Sequence, residues 1–169
     1  IVAPVATTLT GKGIIAENHP LSIGVVGDNG GREYVNEIVR NSDLVMFVGC
    51  KTGSVATIKW TLLDEDKKVI HVDVDPREIG KNYRTHIGVV GDAKLALKAI
   101  IMTVRKKAKR EDKLERIKEI KRKAEEWWRE SEDRMDSSSR GIKPQRVIKE
   151  LRKALPKGST VVIDAGTPT

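Results

Sequence analysis

Two carboxylates follow a predicted buried strand, and they are the first candidates for chemistry in this sequence. Val69 to Val72 is a β-branched run typical of a buried strand, and Asp73 and Asp75 come directly after it. Pro76 then starts a turn, because proline has no N–H to donate to a strand ladder. Ligands of open α/β sheets bind just past the carboxyl ends of the strands. Asp73, more than Asp75, is therefore predicted to contact a nucleotide on its ribose or adenine side.

A structural alternative explains the same residues without a ligand. In it, Asp75 and Pro76 only form the turn, and Asp73 only accepts hydrogen bonds from nearby backbone N–H groups. His71 lies in the same strand, where the neighbouring aspartate is expected to hold its ring. The three histidines are scattered and no HxH, HExxH or CxxC spacing occurs, so we predict neither a protein-ligated metal nor a catalytic residue in this chain.

Glycine-rich loops follow two further predicted strands. Gly27-Asp28-Asn29-Gly30 would let backbone approach a ligand closely, and Asp28 or Asn29 is predicted to cap the next helix. A plain tight turn explains this loop equally well, because the GxGxxG spacing is absent. Gly49-Cys50-Lys51 follows an apolar strand, where a phosphate or ribose is expected. Cys50 is interpreted as a small filler rather than a nucleophile.

Alternating strands and helices position these loops and predict a doubly wound parallel α/β sheet, Rossmann-like in class. Helix 31–41 is expected to turn Tyr34, Val35, Ile38 and Val39 inward, and strand 43–49 to be covered on both faces. Residues 55–63 are predicted to be helical with Trp60 packed. Asp92 is predicted to cap a helix from Ala93 to about Lys107.

The remaining chain predicts a long connector helix and a truncated second α/β unit. Residues 111–134 are predicted to form one helix, whose narrow apolar stripe comprises Ile117, Ile120, Ala124 and Trp127. After a linker at 136–141, Pro144 opens a helix expected to bury Val147, Ile148, Leu151 and Leu155, and a strand is predicted at 160–164. The predicted domains are 1–104, a connector at 105–140, and a second domain beginning at 141–169.

The positive charge of the chain lies outside the predicted sheet domain. The net charge is +8, yet residues 1–104 hold 12 basic and 12 acidic groups. Residues 105–123 hold 11 basic and 4 acidic groups, and residues 124–136 hold 2 basic and 6 acidic groups. A helix that changes sign in this way is typical of a solvated connector, so we expect no nucleic-acid partner.

Several broad features indicate a cytoplasmic fragment. No apolar run is long enough for a membrane span and no signal peptide is present, so we expect no membrane partner. The single cysteine, Cys50, fits a reducing compartment. Charged residues make up 33% of the chain and glutamine occurs once, which hints at a thermophilic source. Both termini fall in predicted strands, which indicates that a longer protein has been cut.

Four separated motifs resemble the central domain of thiamine-diphosphate-dependent enzymes. The strings are PVATTLTGKGIIAENHPLSIGVVGDNG, NSDLVMFVGCKTG, KKVIHVDVDPREIGKNY and VVGDAKLAL, and the nearest likeness is to the acetolactate synthase and pyruvate oxidase group. The tail PQRVIKELRKALPKGSTVVIDAGTPT resembles the start of that family's diphosphate-binding domain. The resemblance implies that the chain lacks the first strand and helix of the central domain, the catalytic glutamate and the GDG…N metal motif.

The resemblance also implies a function for the parent protein. It would be a 2-keto acid carboligase or decarboxylase that uses thiamine diphosphate and Mg²⁺ on domains absent here, and it would assemble as a homodimer or homotetramer. The central domain of such enzymes holds FAD, ADP or nothing. Carried over by motif, the nucleotide contacts are Thr8, Leu9, Gly27, Asp28, Asn29, Gly30, Gly49, Cys50, Lys51, Asp73, Val74, Gly91 and Asp92. Lys51 stands where the family has arginine, and lysine lacks the planar fork of arginine.

Two alternatives from other functional classes stay open. One is a free-standing module of the same fold that binds NAD or ADP without thiamine chemistry. The other is a structural domain whose nucleotide pocket is vestigial and which pairs subunits. A nucleotide-dependent rise in melting temperature favours the first, and a stable dimer that carries no nucleotide favours the second.

Overall fold

The computed structural model describes residues 3–107 and 114–162, and these residues contain five strands and four helices. The chain divides into two compact units, Ile1–Lys118 and Glu119–Thr169. The elements of the described residues are, in chain order, β1 (Val5–Thr7), β2 (Ser22–Val25), α1 (Glu33–Arg40), β3 (Leu44–Val48), β4 (Lys68–Asp73), β5 (Ile87–Val90), α2 (Ala93–Lys107), α3 (Leu114–Met135) and α4 (Pro144–Ala154).

The strands are all parallel, which confirms the predicted α/β class, but they form two sheets. β1 pairs with β2 in one sheet, and β3, β4 and β5 follow each other in the second. A doubly wound sheet has the strand order 3-2-1-4-5-6. The observed pairings, β2–β1 and β3–β4–β5, are compatible with the segments 3-2 and 4-5-6 of that order.

β4 is largely buried, and it is the central strand of the larger sheet. Val69 is 2% exposed and Val72 is fully buried, as the β-branched run predicts. Leu62 and Leu63 pack with Val69 in the core, and Val26, Val39, Val45, Phe47, Ile58 and Tyr83 surround them. Burial of this apolar surface is the main favourable term in folding the unit.

The expectation that β3 is covered on both faces is wrong. Leu44 is 43% exposed and Met46 is 39% exposed, while Val45 packs against the core cluster. β3 is an edge strand of its sheet, and the described residues leave one of its faces partly open to solvent. An uninterrupted apolar run therefore did not distinguish this strand from a fully covered one.

The predicted cap of α1 is also wrong. The residue before the helix is Arg32, which makes no side-chain cap, and neither Asp28 nor Asn29 caps the helix. Instead, the backbone N–H of Asp28 donates to the Val55 carbonyl at 2.8 Å. The helix begins at Glu33, five residues after Asp28.

Residues 55–63 form turns and bends, left-handed at 58–60, and not the predicted helix. Ile58, Lys59 and Trp60 have φ values of 52°, 54° and 64°. The turn is closed by the bonds Lys59 N–H to Ser54 O at 2.6 Å and Leu62 N–H to Thr57 O at 3.0 Å. This conformation costs roughly 1–2 kcal/mol for each non-glycine residue, so no propensity rule predicts it. Trp60, expected to be packed, is 51% exposed.

Helix α2 matches its prediction closely. It spans Ala93–Lys107, and the Asp92 carboxylate accepts the Leu95 N–H at 2.9 Å, as an N-cap does. Its side chains all remain at least partly exposed.

The second unit differs from expectation in its apolar faces. Ile120 of α3 is buried, but Val147, Ile148 and Leu151 of α4 are 48%, 48% and 41% exposed. The described residues of this unit therefore do not bury the inward face predicted for α4. Pro144 does open the helix, as predicted. Residues 160–162 are not in a strand, and residues 111–113 and 163–164 of the predicted elements lie outside the described residues.

Among the described residues, no helix combines the length and the apolarity needed to cross a bilayer.

Candidate functional site

The carboxyl edge of the larger sheet gathers three of the predicted segments. The Gly49 N–H donates to the Val72 carbonyl, and the Gly91 N–H donates to the Asp73 carbonyl, each at 2.9 Å. The end of β4 thus fixes the loops that follow β3 and β5 on its two sides. Gly49, Cys50, Lys51, Asp73, Val74, Gly91 and Asp92 are thereby brought to one edge, as parallel pairing requires.

The backbone of this edge is open. A Cβ atom built at Gly49, Gly53 or Gly91 would meet no atom of the described residues within 4 Å. Gly49 also adopts φ 59°, a conformation that favours glycine. A ligand can therefore approach the main chain closely on both sides of β4.

The two aspartates accept hydrogen bonds from the turn that follows them. Asp73 is 8% exposed, and its Oδ1 accepts the Asp75 N–H at 3.0 Å. Oδ1 of Asp75 accepts the Arg77 N–H at 3.0 Å. These are the local hydrogen bonds to backbone N–H groups that the interpretation without a ligand predicts. A carboxylate has about four acceptor sites, so the bond to Asp75 does not exhaust those of Asp73.

Asp75 is held ionised by the neighbouring arginine. The Arg77 guanidinium bonds both carboxylate oxygens, with Nη2 at 2.8 Å from Oδ2, and lowers the pKa of Asp75 to about 2. The Lys51 ammonium lowers this pKa further by a smaller amount. The edge therefore carries charges of both signs.

Cys50 and His71 stabilise this edge. Nε2 of His71 is 3.0 Å from the Cys50 carbonyl oxygen, to which it donates, and His71 is 2% exposed. The prediction that a neighbouring aspartate holds this ring is thus wrong, because the ring instead reaches the loop that follows the adjacent strand β3. Burial raises the pKa of the Cys50 thiol, and the Asp73 carboxylate raises it further. A protonated thiol is a poor nucleophile, which agrees with the filler interpretation.

Asn82 fixes the loop after β3, and the sequence analysis assigned it no role. Its Nδ2 donates to the Lys51 carbonyl at 3.2 Å, and to the Thr52 carbonyl and hydroxyl at 3.1 Å each. Thr52 is 2% exposed and has φ 47°. Asn82 follows β4 by nine residues, and only the fold brings it beside Thr52. The available signal was its position in the segment KKVIHVDVDPREIGKNY, which also contains Asp73 and Asp75.

The loop after β2 is fixed by Asn36, which was also missed. Asn36 Oδ1 accepts the Gly27 N–H at 2.9 Å, and its Nδ2 donates to the Gly27 carbonyl at 3.1 Å. Gly27 has φ 114°, and an added Cβ would overlap the Val55 carbonyl oxygen. Gly27 is therefore required by packing. The next three residues, Asp28 to Gly30, are exposed.

Thr8 and Leu9 belong to this second group of loops. The Val26 N–H donates to the Thr7 carbonyl at 2.9 Å, which joins the ends of β1 and β2. Thr8 Oγ1 accepts the Gly11 N–H at 3.1 Å, so its hydroxyl closes a turn. The predicted contacts thus form two groups, one at the edge of each sheet. The bond between the Asp28 N–H and the Val55 carbonyl connects the group at the β1–β2 edge to the segment that follows the loop after β3.

Among residues 3–107 and 114–162, no cluster of three or more His, Cys, Asp or Glu side chains could hold a metal ion.

Comparison with known proteins gives a family match and several relatives. The family described as "Thiamine pyrophosphate enzyme, central domain" matches residues 1–100. The chain is 36% identical over 172 residues to a "Probable acetolactate synthase large subunit" of Methanococcus aeolicus, which covers 96% of this chain and 28% of that protein. It is 40% identical over 155 residues to the protein of the same name from Methanocaldococcus jannaschii, covering 90% and 25%.

A third relative is the "Acetolactate synthase large subunit" of Cyanidium caldarium, which is 32% identical over 157 residues, 93% of this chain and 26% of that protein. The chain therefore spans about a quarter of the length of the curated relatives it matches. The family match covers both groups of loops, every strand of the described residues and the parallel α/β fold that supports them. The chain belongs to the thiamine pyrophosphate enzyme family, and residues 1–100 correspond to its central domain.

Proposed function

We propose that the polypeptide containing this chain is an acetolactate synthase-like enzyme. It uses thiamine diphosphate and Mg²⁺ to release carbon dioxide from one 2-keto acid and to join the remainder to a second carbonyl compound. The support is that relatives named acetolactate synthase large subunit align over at least 90% of this chain. No residue of this chain is proposed to be catalytic. Both cofactors would be bound by other domains of the same polypeptide, in a homodimer or homotetramer.

The test of this activity uses the natural gene product that contains the chain. Supplied with thiamine diphosphate, Mg²⁺ and pyruvate, it is expected to form acetolactate and carbon dioxide in equal amounts. Omission of thiamine diphosphate should abolish both products. Release of acetaldehyde without acetolactate would assign a decarboxylase instead, and consumption of pyruvate that does not depend on thiamine diphosphate would refute the proposal.

The role proposed for this chain is to bind an auxiliary nucleotide, FAD or ADP. The observation that carries it is the open main chain at Gly49, Gly53 and Gly91, on both sides of the end of β4. Lys51 is exposed there and offers a positive charge to a diphosphate. Asp73 offers acceptor capacity to a ribose hydroxyl. Asp28 and Asn29, exposed in the other loop, are proposed as outer contacts of the same nucleotide.

Isothermal titration calorimetry with FAD, ADP and NAD tests this role. FAD or ADP is expected to bind with a stoichiometry of one, and Asp73→Asn is expected to weaken binding while Asp64→Asn does not. Asp64 is an exposed carboxylate in a turn before β4 and serves as the matched control. Preference for NAD would favour the free-standing nucleotide module, and an absence of binding to all three would refute the role.

The domain organisation proposed here is a central domain at 1–104, a connector at 105–140 and the start of a second domain at 141–169. We further propose that the central sheet includes one more parallel strand, supplied with its helix from outside the described residues. The strand order supports this, since β2–β1 and β3–β4–β5 are what a 3-2-1-4-5-6 sheet retains without strand 1. An experimental structure of the longer polypeptide with no strand beside β1 and β3 would refute it.

Subunit pairing is the second candidate role, and one observation favours it. Leu95, Ile101 and Met102 of α2 are 67%, 49% and 57% exposed, which leaves apolar surface on this helix. Sedimentation equilibrium of the gene product and of its Met102→Glu variant tests the role. Dissociation by the variant supports it, and an unchanged assembly argues against it.

A further inference from the structure

The left-handed turn at residues 58–60 separates two large side chains that are close in sequence. Ile58 packs against the core cluster of Leu62, Leu63 and Val69. Trp60, two residues later, is 51% exposed. Three successive non-glycine residues with φ between 52° and 64° are rare, and such strain persists only where the surrounding structure imposes it. The result of this conformation is a large indole directed partly into solvent.

The indole is held in place rather than left to rotate. Its Nε1 donates to the Thr52 carbonyl at 3.1 Å, and the Trp60 backbone N–H donates to Thr57 Oγ1 at 3.2 Å. Asn82 donates to the same Thr52 carbonyl at 3.1 Å. Trp60 is therefore fixed to the loop that leaves the carboxyl end of β3. A fixed aromatic ring loses little conformational entropy when a second ring stacks on it.

The charges near Trp60 and its position in the fold favour a nucleotide as the ligand that stacks on its ring. The loop that holds Trp60 begins at Gly49, whose main chain is open, and it includes the exposed Lys51. Lys59, adjacent to Trp60, is also exposed. A planar ring joined to phosphate groups matches this combination of an aromatic face, two ammonium groups and open backbone.

We propose that Trp60 is a stacking surface for the planar ring, adenine or isoalloxazine, of the nucleotide bound at the carboxyl edge of β3–β5. This inference rests on the proposed nucleotide-binding role of the same edge. Trp60 would thereby be a binding residue for which neither the motif nor the family match provides a role. Loss of one stacked ring weakens nucleic-acid base binding by roughly 1–3 kcal/mol, which corresponds to about 5- to 150-fold in Kd.

The experiment titrates FAD, ADP and FMN into the wild-type chain and into Trp60→Phe, Trp60→Leu and Trp128→Leu. Trp128 is 44% exposed on α3 and is the matched control. We expect Trp60→Leu to weaken binding at least tenfold, Trp60→Phe to retain it within about threefold, and Trp128→Leu to leave it unchanged. FMN lacks adenine and ADP lacks isoalloxazine. The probe whose binding is weakened by Trp60→Leu therefore shows which ring stacks on Trp60.

Fluorescence provides a second readout that does not depend on affinity. Saturating FAD is expected to quench the Trp60 contribution, so the quenching should persist in Trp128→Leu and disappear in Trp60→Leu. Binding equal to wild type in Trp60→Leu, with unchanged quenching, would overturn the inference while the nucleotide role survives. No binding of any probe to the wild-type chain would instead refute the nucleotide role itself. Circular dichroism checks the fold, and if Trp60→Leu unfolds, Trp60→Phe decides the question: retained affinity with lost quenching supports stacking, and quenching equal to wild type overturns it.

Discussion

The side chain of Asn36 is predicted to stabilise the folded chain through the Gly27 loop of the candidate site. It is 4% exposed, and its side-chain amide satisfies both the N–H and the C=O of Gly27. Asn36→Ala would leave two buried backbone groups without partners, at about 1–3 kcal/mol each. Alanine regains about 0.6 kcal/mol as a better helix former. We therefore expect Asn36→Ala to lower the free energy of unfolding by about 1.5–5.5 kcal/mol.

The assay is urea unfolding followed by circular dichroism, with Asn41→Ala as the control. Asn41 is exposed at the end of the same helix, so the same chemical change is expected to alter stability by less than about 0.5 kcal/mol. If the two variants are equally stable, the hydrogen bonds to Gly27 contribute no more than a surface amide, and the reasoning is refuted.

Asn36→Asp adds a dependence on pH that a general packing defect would not show. An ionised carboxylate cannot donate to the Gly27 carbonyl, whereas a protonated carboxyl group can both donate and accept. Burial beside that carbonyl raises the pKa of the introduced carboxyl group in the folded state. The folded state therefore favours the protonated form of this group more than the unfolded state does. The stability deficit relative to wild type should therefore be greatest above this raised pKa and should shrink as the pH falls through it. A deficit that does not vary with pH would contradict the assigned bonds.

Three further measurements test the core and the carboxyl edge. Leu62→Ala should lower the free energy of unfolding by about 2–5 kcal/mol, whereas Leu151→Ala, at a 41% exposed position, should cost less than about 1 kcal/mol; equal costs would contradict the assigned core. Burial raises the pKa of Cys50, so iodoacetamide at pH 8 should alkylate it at least tenfold more slowly in the folded chain than in urea. Arg77→Gln should raise the pKa of Asp75 from about 2 towards 3.8 in a carboxyl ¹³C titration, and an unchanged midpoint would show that Arg77 does not hold it.

The sequence predicted the framework well where a single physical rule dominates. The β-branched run of β4, the parallel α/β class and the Asp92 cap all follow from local chemistry and appear in the structure. Sequence periodicity failed at residues 55–63, because there the tertiary core holds Ile58 in a conformation that its own propensity opposes.

The site was predicted in part. Parallel pairing forces Gly49, Asp73 and Gly91 to one edge, so that grouping could be inferred from strand ends alone. The residues that hold the loops could not, because Asn36 and Asn82 act through bonds that connect positions 9 and 30 residues apart. Nor does a pattern of apolar residues reveal whether a neighbouring element covers a helix face, as the exposed side chains of α4 illustrate.

The attachment of the edge loops to β4 has a consequence for how this domain can change over evolution. Gly49 and Gly91 are held by main-chain atoms of Val72 and Asp73, and these bonds do not depend on which side chains the loops carry. Substitutions at Cys50 or Lys51 can therefore alter the chemistry of the edge without displacing its frame. A scaffold anchored in this way can exchange one small-molecule occupant for another, or lose its occupant, through a few surface mutations that leave folding stability intact.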